Sequence, residues 1–231
     1  GTIKFLLQLA DDSLLESVLI PSTDHFTLCI STQIGCSMAC SFCSTGQMGF
    51  TRNLSSGEIL GQILVARKYL ADQGQTTILR NLVLMGMGEP LLNWAQVHRA
   101  LKILNDPQAL GMSHRRITLS TVGVPNKLAR AGNSKLANLA VSLHAPTQRL
   151  RAQLMPRAAE FHLDQLMQSL HNYPLAPRQR ITIEYILLGG ANDSLKQAKE
   201  LSQLLSTLRC KINLIPFNTD QNLKYNMPDQ K

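Results

Sequence analysis

The 231-residue sequence is poor in aromatic residues, in charged residues and in long apolar runs. Aromatic side chains make up 5% of the chain, with a single tryptophan, which argues against a base-stacking sheet surface of the RNA-recognition-motif kind. No segment approaches the roughly 20 apolar residues that a membrane helix needs. The chain opens without a basic segment followed by an apolar run, so we expect no signal peptide. These absences favour a globular cytoplasmic protein with no membrane partner.

The charge that is present is unbalanced towards the positive. The chain has 23 Lys and Arg residues against 15 Asp and Glu residues, a net charge of +8. Such a balance favours a polyanionic partner, although many basic proteins bind no nucleic acid. The clearest basic groups lie apart in sequence: Arg115–Arg116, Arg149/Arg151/Arg157 and Arg178/Arg180. Only the fold could bring them together.

Strand and helix signals alternate along the chain. Strands are predicted at 2–9, 14–20, 25–32, 78–88, 115–123, 136–146, 180–190 and 210–218, and helices at 55–74, 93–106, 125–132, 163–173 and 193–208. The repeated β–α units predict parallel strands with right-handed crossovers, in an open doubly wound sheet or a partial barrel. In either fold the site lies at the carboxyl ends of the strands. We expect a hairpin packed on the core at 1–24, a core domain at 25–218 and a loose tail at 219–231.

Three of the five cysteines lie within eight residues, in the stretch GCSMACSFCSTGQMGF. A structural zinc site usually closes four ligands, often as two distant C-x-x-C pairs, and the second pair is missing here. A disulfide would leave one of the three thiols idle. An iron–sulfur cube takes thiolates at its corners, so three cysteines can leave one iron open for a ligand. The spacing favours an iron–sulfur site at Cys36, Cys40 and Cys43, on a loop that Gly35 and Gly46 allow to curl tightly.

The spacing C-x3-C-x2-C, with Phe42 before the last cysteine, resembles the signature of the radical S-adenosylmethionine (SAM) enzymes. From about Leu14 to Asn218 the chain resembles the RlmN/Cfr family of radical SAM adenine methyltransferases. The motifs that carry this resemblance are CSTGQMGFTRNLSSGEI, LVLMGMGEP, ITLSTVG, AVSLHAP, LMP and CKINLIPFN. GEP and the last motif resemble the RlmN type, which methylates carbon 2 of adenine, more than the Cfr type, which methylates carbon 8. The resemblance implies a partial (β/α)6 TIM-like barrel of the radical SAM type behind an N-terminal β-hairpin.

The resemblance also implies two cofactors, a [4Fe-4S] cluster on the three clustered cysteines and SAM on its open iron. Reduction through the cluster would cleave SAM to a 5′-deoxyadenosyl radical. The implied SAM contacts are Gly88, Glu89, Ser120, Ser142, Leu143, His144 and Asn218. Taken alone, the glycines would indicate a turn and the histidine a structural residue. The implied partners are 23S rRNA, tRNA and an electron donor such as flavodoxin or ferredoxin, and we expect a monomer.

Two further residues receive a role only from the resemblance. By alternation, Cys29 shares a polar strand face with Thr27 and Ser31, and from the residues alone it is either a fourth cluster ligand or a buried inert thiol. By resemblance it is a resolving thiol that releases the product. Glu16 would otherwise be an ordinary exposed strand residue, and by resemblance it is a proton acceptor.

The sequence departs from the family at the methyl carrier. The family carries the methyl group on a second working cysteine in a C-terminal segment, and Cys210 does not match it because it opens the last strand motif. We therefore expect a radical SAM RNA methyltransferase core that lacks its methyl acceptor, being a fragment, a degenerate homologue or one part of a pair. The alternatives are a radical SAM enzyme of another reaction type and a non-catalytic iron–sulfur RNA-binding protein.

Overall fold

Strands and helices alternate along the computed structural model, which describes residues 1–219 and 223–229. The strands are β1 (Ile3–Gln8), β2 (Leu14–Pro21), β3 (Phe26–Cys29), β4 (Gln33–Gly35), β5 (Phe50–Asn53), β6 (Leu79–Leu84), β7 (Ile117–Thr121), β8 (Asn138–Ser142), β9 (Ile181–Leu187) and β10 (Cys210–Pro216). The helices are α1 (Ser44–Gln47), α2 (Ser56–Asp72), α3 (Trp94–Asn105), α4 (Pro125–Ser134), α5 (Gln148–Leu154), α6 (Leu163–His171) and α7 (Leu195–Leu205). Within the described residues, no helix is long and apolar enough to cross a membrane.

The chain divides into two compact units, of which the first comprises residues 1–36, 50–120 and 135–138. The strands of this unit follow the order β1-β2-β3-β6-β7. Neighbouring strands are antiparallel from β1 to β3 and parallel from β3 to β7. The predicted N-terminal hairpin is therefore present, and its second strand pairs directly with the first of the parallel strands.

Helix α2 supplies much of the core of the first unit. Its start is fixed by a capping box: the Ser55 side chain accepts from the Glu58 N–H at 3.2 Å, and the Glu58 carboxylate accepts from the Ser55 N–H at 2.7 Å. Buried side chains then recur at helical spacing at Ile59, Ile63 and Leu70. This face of the helix is therefore turned towards the interior of the first unit.

The second unit comprises residues 37–49, 121–134 and 139–231. Its strands β8, β9 and β10 are parallel, and the register places Ser142 opposite Glu184 and Glu184 opposite Asn213. In β9 the side chains of Ile181 and Ile183 are fully buried. A capping box at Ser194 starts α7, which precedes β10.

The structure contains short elements that the sequence pattern does not predict. β4 and β5 form an antiparallel pair on either side of the cysteine loop, which itself ends in the four-residue helix α1. Helix α5, of seven residues, occupies a stretch in which the sequence pattern predicts no element. Segments of three to seven residues are too short to show a period, and here pairing and packing decide their conformation.

The predicted loose tail at 219–231 lies partly outside the described residues, at 220–222 and 230–231. The described part makes two hydrogen bonds to other segments of the second unit. The Tyr225 hydroxyl is 2.7 Å from the Ser41 hydroxyl, and the Asn226 carbonyl accepts from the Gly189 N–H at 2.9 Å.

Candidate active site

The cysteine loop runs from the end of β4 into α1. Cys36 follows directly on β4, and Cys43 is the N-cap of α1. The Cys43 N–H donates to the Cys40 carbonyl at 3.1 Å, which closes a turn between these two residues. A Cβ at Gly46 would lie 2.9 Å from the Cys40 backbone nitrogen and oxygen, so only glycine allows this close return of the chain. Ala39 takes a φ of 50°, which adds local strain.

Ser41 anchors the same loop to two other segments of the second unit. Its N–H donates to the Leu154 carbonyl of α5 at 2.9 Å, and its hydroxyl lies 3.2 Å from the same oxygen. The hydroxyl also meets Tyr225. The loop conformation is therefore set by long-range contacts as well as by its glycines, and neither partner is predictable from the sequence pattern.

The three thiols of the loop fit an iron–sulfur cluster better than a single ion. Cys36, Cys40 and Cys43 are half-buried, and none of them is in a disulfide. Among the described residues, no three His, Cys, Asp or Glu side chains converge as ligands of one metal ion. A zinc ion requires its sulfur ligands at about 2.3 Å from one centre, whereas a cube receives each thiolate at a different iron. Soft thiolate donors also suit iron–sulfur chemistry.

Gly88 and Glu89 form a tight turn after β6, against Gln33. Gly88 has a φ of 101°, and a Cβ there would lie 2.5 Å from the Gln33 Cβ. The Glu89 N–H donates to Gln33 Oε1 at 2.8 Å, and Glu89 Oε1 accepts from the Leu91 N–H at 2.9 Å. Glu89 is only 2% exposed. The turn thus fixes a buried carboxylate at the carboxyl end of a parallel strand.

His144 is held in a strained and buried position. Its φ is 55°, its Nδ1 accepts from the Ile186 N–H at 3.0 Å, and its carbonyl accepts from the Asn192 side chain at 2.8 Å. Burial lowers the pKa of the ring to about 3, and the positive charge of Arg151 contributes in the same direction. The imidazole is therefore neutral, and because Nδ1 is an acceptor the proton lies on Nε2.

Ser142 and Leu143 lead into this histidine and lie beside an acid that the sequence analysis missed. Ser142 is opposite Glu184 in β9, and the Leu143 N–H donates to the Glu184 carbonyl at 3.1 Å. Glu184 is 6% exposed and accepts from Asn213 Nδ2 at 2.9 Å. Burial raises its pKa, which the Asn213 hydrogen bond and the Lys211 charge oppose. An acid inside an otherwise apolar strand was the signal that could have revealed it.

A cavity of about 810 Å³ in the second unit brings two of the predicted residues together. Cys43 and Asn218 both line it, with apolar walls from Ile186, Ile215 and Phe217. A mostly apolar cleft with a few polar groups is the usual form of a small-molecule site. The volume is sufficient for an adenosyl-sized ligand.

Phe42 also lines this cavity and is in edge-to-face contact with His144, with ring centroids 5.0 Å apart. The aromatic residue before the last cysteine of the loop therefore joins the cavity to the strained histidine. Edge-to-face pairs of this kind fix the orientation of both rings.

Three other predicted residues lie on one face of the strands in the first unit. Val18 is opposite Cys29, Cys29 is opposite Val83, and Val83 is opposite Thr118. Because side chains alternate, Glu16 and Ser120, each two residues away from this row, lie on the same face. We call this the polar strand face, meaning the face that carries Glu16, Cys29 and Ser120.

The two reactive groups of the polar strand face differ in environment. The Glu16 side chain is 45% exposed and forms an ion pair with Lys4 at 2.8 Å. Burial raises the pKa of the Cys29 thiol to about 11, which a backbone hydrogen bond from Met85 only partly offsets. Cys29 is therefore a protonated thiol at neutral pH.

Comparison with known proteins supports the class that the sequence motifs predict, the radical SAM enzymes. The model of the Radical SAM superfamily matches residues 30–202. A radical SAM methyltransferase from Sphaerobacter thermophilus superposes with a TM-score of 0.94 at 39% identity, over 99% of this chain and 67% of that one. The predicted fold class, a partial TIM-like α/β barrel of this type, is confirmed by these two matches.

Curated relatives narrow the class further. The dual-specificity RNA methyltransferase RlmN of Solidesulfovibrio magneticus is 54% identical over 230 residues, which cover 100% of this chain and 66% of that protein. RlmN of Oleidesulfovibrio alaskensis is 57% identical over 94% of this chain and 62% of its own length. The chain therefore belongs to the radical SAM superfamily and, within it, to the RlmN family. It spans slightly less than two thirds of the length of these relatives, and its cofactors are those of the superfamily, a [4Fe-4S] cluster and SAM.

Proposed function

We propose that this chain is the radical SAM core of an enzyme that methylates carbon 2 of an adenine in 23S rRNA and in tRNA. The observation that carries the proposal is identity of 54% to 57% to relatives named dual-specificity RNA methyltransferases, over nearly the whole of this chain. The partners we propose are these RNAs and a low-potential electron donor such as flavodoxin or ferredoxin. The protein would act as a monomer in the cytoplasm, where a reducing environment protects an exposed cluster.

Cys36, Cys40 and Cys43 would hold the cluster, which when reduced supplies the electron that cleaves SAM to methionine and a 5′-deoxyadenosyl radical. The residues that would bind SAM are Gly88, Glu89, Ser120, Ser142, Leu143, His144 and Asn218. Support comes from the cavity of about 810 Å³ that Cys43 and Asn218 share.

The polar groups of this set match the groups of SAM. The buried carboxylate of Glu89 is the complement of an ammonium group. The Nε2–H of neutral His144 donates a hydrogen bond without adding charge, and the left-handed backbone of this residue fixes its direction. The missing side chain at Gly88 lets Gln33 pack against the turn that presents Glu89.

The polar strand face would handle the proton and the release of product. Glu16 would accept a proton from the adenine carbon, and its partial exposure leaves it within reach of a base that enters from solvent. Cys29 would act as the resolving thiol. Its raised pKa keeps it protonated until a base removes the proton, and Glu16 lies on the same face.

The methyl carrier is assigned to a cysteine outside these 231 residues. The only cysteine left without a role is Cys210, which opens β10 and is half-buried. Burial raises the pKa of its thiol, which disfavours the thiolate that must take a methyl group from SAM. The core would therefore produce the radical but would need a carrier from elsewhere to methylate RNA.

Anaerobic reconstitution tests the proposal. The protein is loaded with iron and sulfide, reduced with dithionite, and incubated with SAM and a 23S rRNA fragment. We expect 5′-deoxyadenosine without methyladenine by mass spectrometry. Cys40→Ala should abolish 5′-deoxyadenosine, whereas the matched control Cys210→Ala should not. Methyladenine from this chain alone would refute the carrier assignment, and a cluster-loaded protein that releases no 5′-deoxyadenosine would refute the catalytic proposal.

A further inference from the structure

Arg151 is a fully buried cation in the second unit that the proposed function leaves unused. It lies on α5 with 0% exposure. Its guanidinium donates to the Val122 carbonyl at 2.8 Å and to the Ala158 carbonyl at 3.4 Å, while its Nε is buried without a hydrogen-bond partner. In the sequence it belongs to a group of basic residues with Arg149 and Arg157, but those two are exposed whereas Arg151 is buried.

Burial of an unpaired charge is costly unless an opposite charge lies nearby. Among the described residues, no carboxylate forms an ion pair with Arg151. Carbonyl oxygens satisfy some of its donors but supply no negative charge. The positive charge of Arg151 is therefore not neutralised by a carboxylate among the described residues, which indicates that another anion belongs next to this guanidinium in the functional protein.

The cysteine loop is the neighbour that can provide that anion. One turn after Arg151, the Leu154 carbonyl of the same helix accepts from the N–H of Ser41, the residue that follows Cys40. The Arg151 charge is within electrostatic range of the Cys40 sulfur and of the His144 ring. The helix thus carries a buried positive charge directly to the segment that would hold the cluster.

We propose that Arg151 is a positioning residue that sets the reduction potential of the cluster. The inference rests on the proposed cluster site at Cys36, Cys40 and Cys43. Three thiolates make a [4Fe-4S] site anionic, and the electron it takes from a low-potential donor makes it more so. A fixed buried cation therefore stabilises the reduced form more than the oxidised form and raises the potential.

A purely structural role is the competing explanation, because the guanidinium also ties α5 to two carbonyls. The variants Arg151→Gln and Arg151→Met remove the charge, the first keeping a donor for the Val122 carbonyl. Arg151→Lys keeps the charge but loses the planar geometry. Arg149→Gln is the matched control, since it removes one positive charge from an exposed position of the same helix, where solvent screens it.

The measurement is a redox titration of the reconstituted proteins with dithionite and mediators, followed by electron paramagnetic resonance of the reduced cluster. Arg151→Gln and Arg151→Met should shift the reduction equilibrium about tenfold against reduction, which corresponds to about 59 mV for one electron. Arg151→Lys and Arg149→Gln should stay within about threefold of the parent protein. Circular dichroism and iron content confirm that each variant is folded and loaded.

Several outcomes would overturn the inference. These are a loaded Arg151→Gln protein with the parent potential, an equal shift in Arg149→Gln, and a shift in Arg151→Lys as large as in the neutral variants. If neither neutral variant folds, a tenfold shift in Arg151→Lys, which keeps the charge, refutes the inference. A parent protein that binds no cluster would refute the proposed function and this inference together, whereas an unshifted potential would refute this inference alone.

Discussion

The polar strand face and the His144 segment both hold reactive groups in position, but they do so through different structures. On the strand face, Glu16 and Cys29 occupy regular strand positions, and the ladder of paired strands fixes them. At His144 the backbone is left-handed, the ring is buried, and hydrogen bonds arrive from residues more than 40 positions away. Regular positions cost little stability, so they tolerate replacement. The strained positions depend on the surrounding fold and should be far more sensitive.

The largest effect of this kind is expected at Gly88. Gly88→Ala combines a φ of 101° with a Cβ placed 2.5 Å from the Gln33 Cβ. Backbone strain and overpacking together should lower the free energy of unfolding by roughly 2–5 kcal/mol. The control is Gly190→Ala, where φ is 73° but no atom lies within 4 Å of the new Cβ. Its loss should be about 1 kcal/mol, from strain alone. Equal losses in urea denaturation would show that the contact with Gln33 relaxes freely.

The second effect is a pH dependence that belongs to His144. Its pKa is about 3 in the folded protein against 6.5 as the ordinary value, because burial disfavours the imidazolium. Between these values the unfolded chain binds more protons, so acid favours unfolding. The stabilisation is complete above pH 6.5 and is lost as pH falls towards 3, at up to about 1.4 kcal/mol per pH unit.

Comparison with His144→Asn isolates this contribution, because asparagine tolerates a positive φ and does not titrate. Urea denaturation between pH 7 and 5 should show a steeper loss in the parent protein than in the variant. Parallel curves would mean that His144 takes up its proton in the folded protein.

The third effect is chemical rather than energetic and concerns Cys29. A pKa of about 11, against 9.0 for an ordinary thiol, leaves about a hundredfold less thiolate at pH 8. Alkylation of Cys29 by iodoacetamide should be slower by this factor than in the urea-unfolded protein, and should accelerate about tenfold per pH unit up to pH 11. Peptide mass spectrometry resolves it from the other cysteines. Rapid labelling at pH 8 would show a thiol activated within the fold.

The contrast between regular strand positions and the strained His144 segment also explains which features could be predicted from the sequence. Alternation placed Thr27 and Cys29 on one strand face, and the ladder pairs both as expected, because a period of two is a local property. The succession of strands and helices predicted a parallel α/β fold, and the resemblance carried by the ordered motifs implied the partial barrel rather than the open sheet. The burial of Arg151 could not be predicted, since its helix is too short to show a period. Charged side chains are also seldom fully buried, so its residue type does not indicate the 0% exposure that the structure shows.

Within the candidate site, His144 shows most clearly which features cannot be predicted from the sequence. The sequence indicated a polar residue after a strand, but the tautomer and strain of the ring depend on Ile186 and Asn192. Contacts over such sequence separations leave no periodic trace. Glu184 is the intermediate case, because a lone acid in an apolar strand is visible in the sequence, whereas its bond to Asn213 requires the register of β9 and β10.

The smallest effect is expected at Glu16, and it tests whether the strand face is as tolerant as its regular geometry indicates. The ion pair with Lys4 joins two side chains that are 45% and 62% exposed, so solvent screens most of their attraction. A double-mutant cycle of Glu16→Gln and Lys4→Met should give a coupling of about 0.2–1 kcal/mol, and salt should reduce it further. A small coupling means that any loss of function in Glu16→Gln reflects chemistry, because the fold does not need the carboxylate. A coupling above about 2 kcal/mol would make Glu16 a structural partner of Lys4 and would weaken its assignment as a proton acceptor.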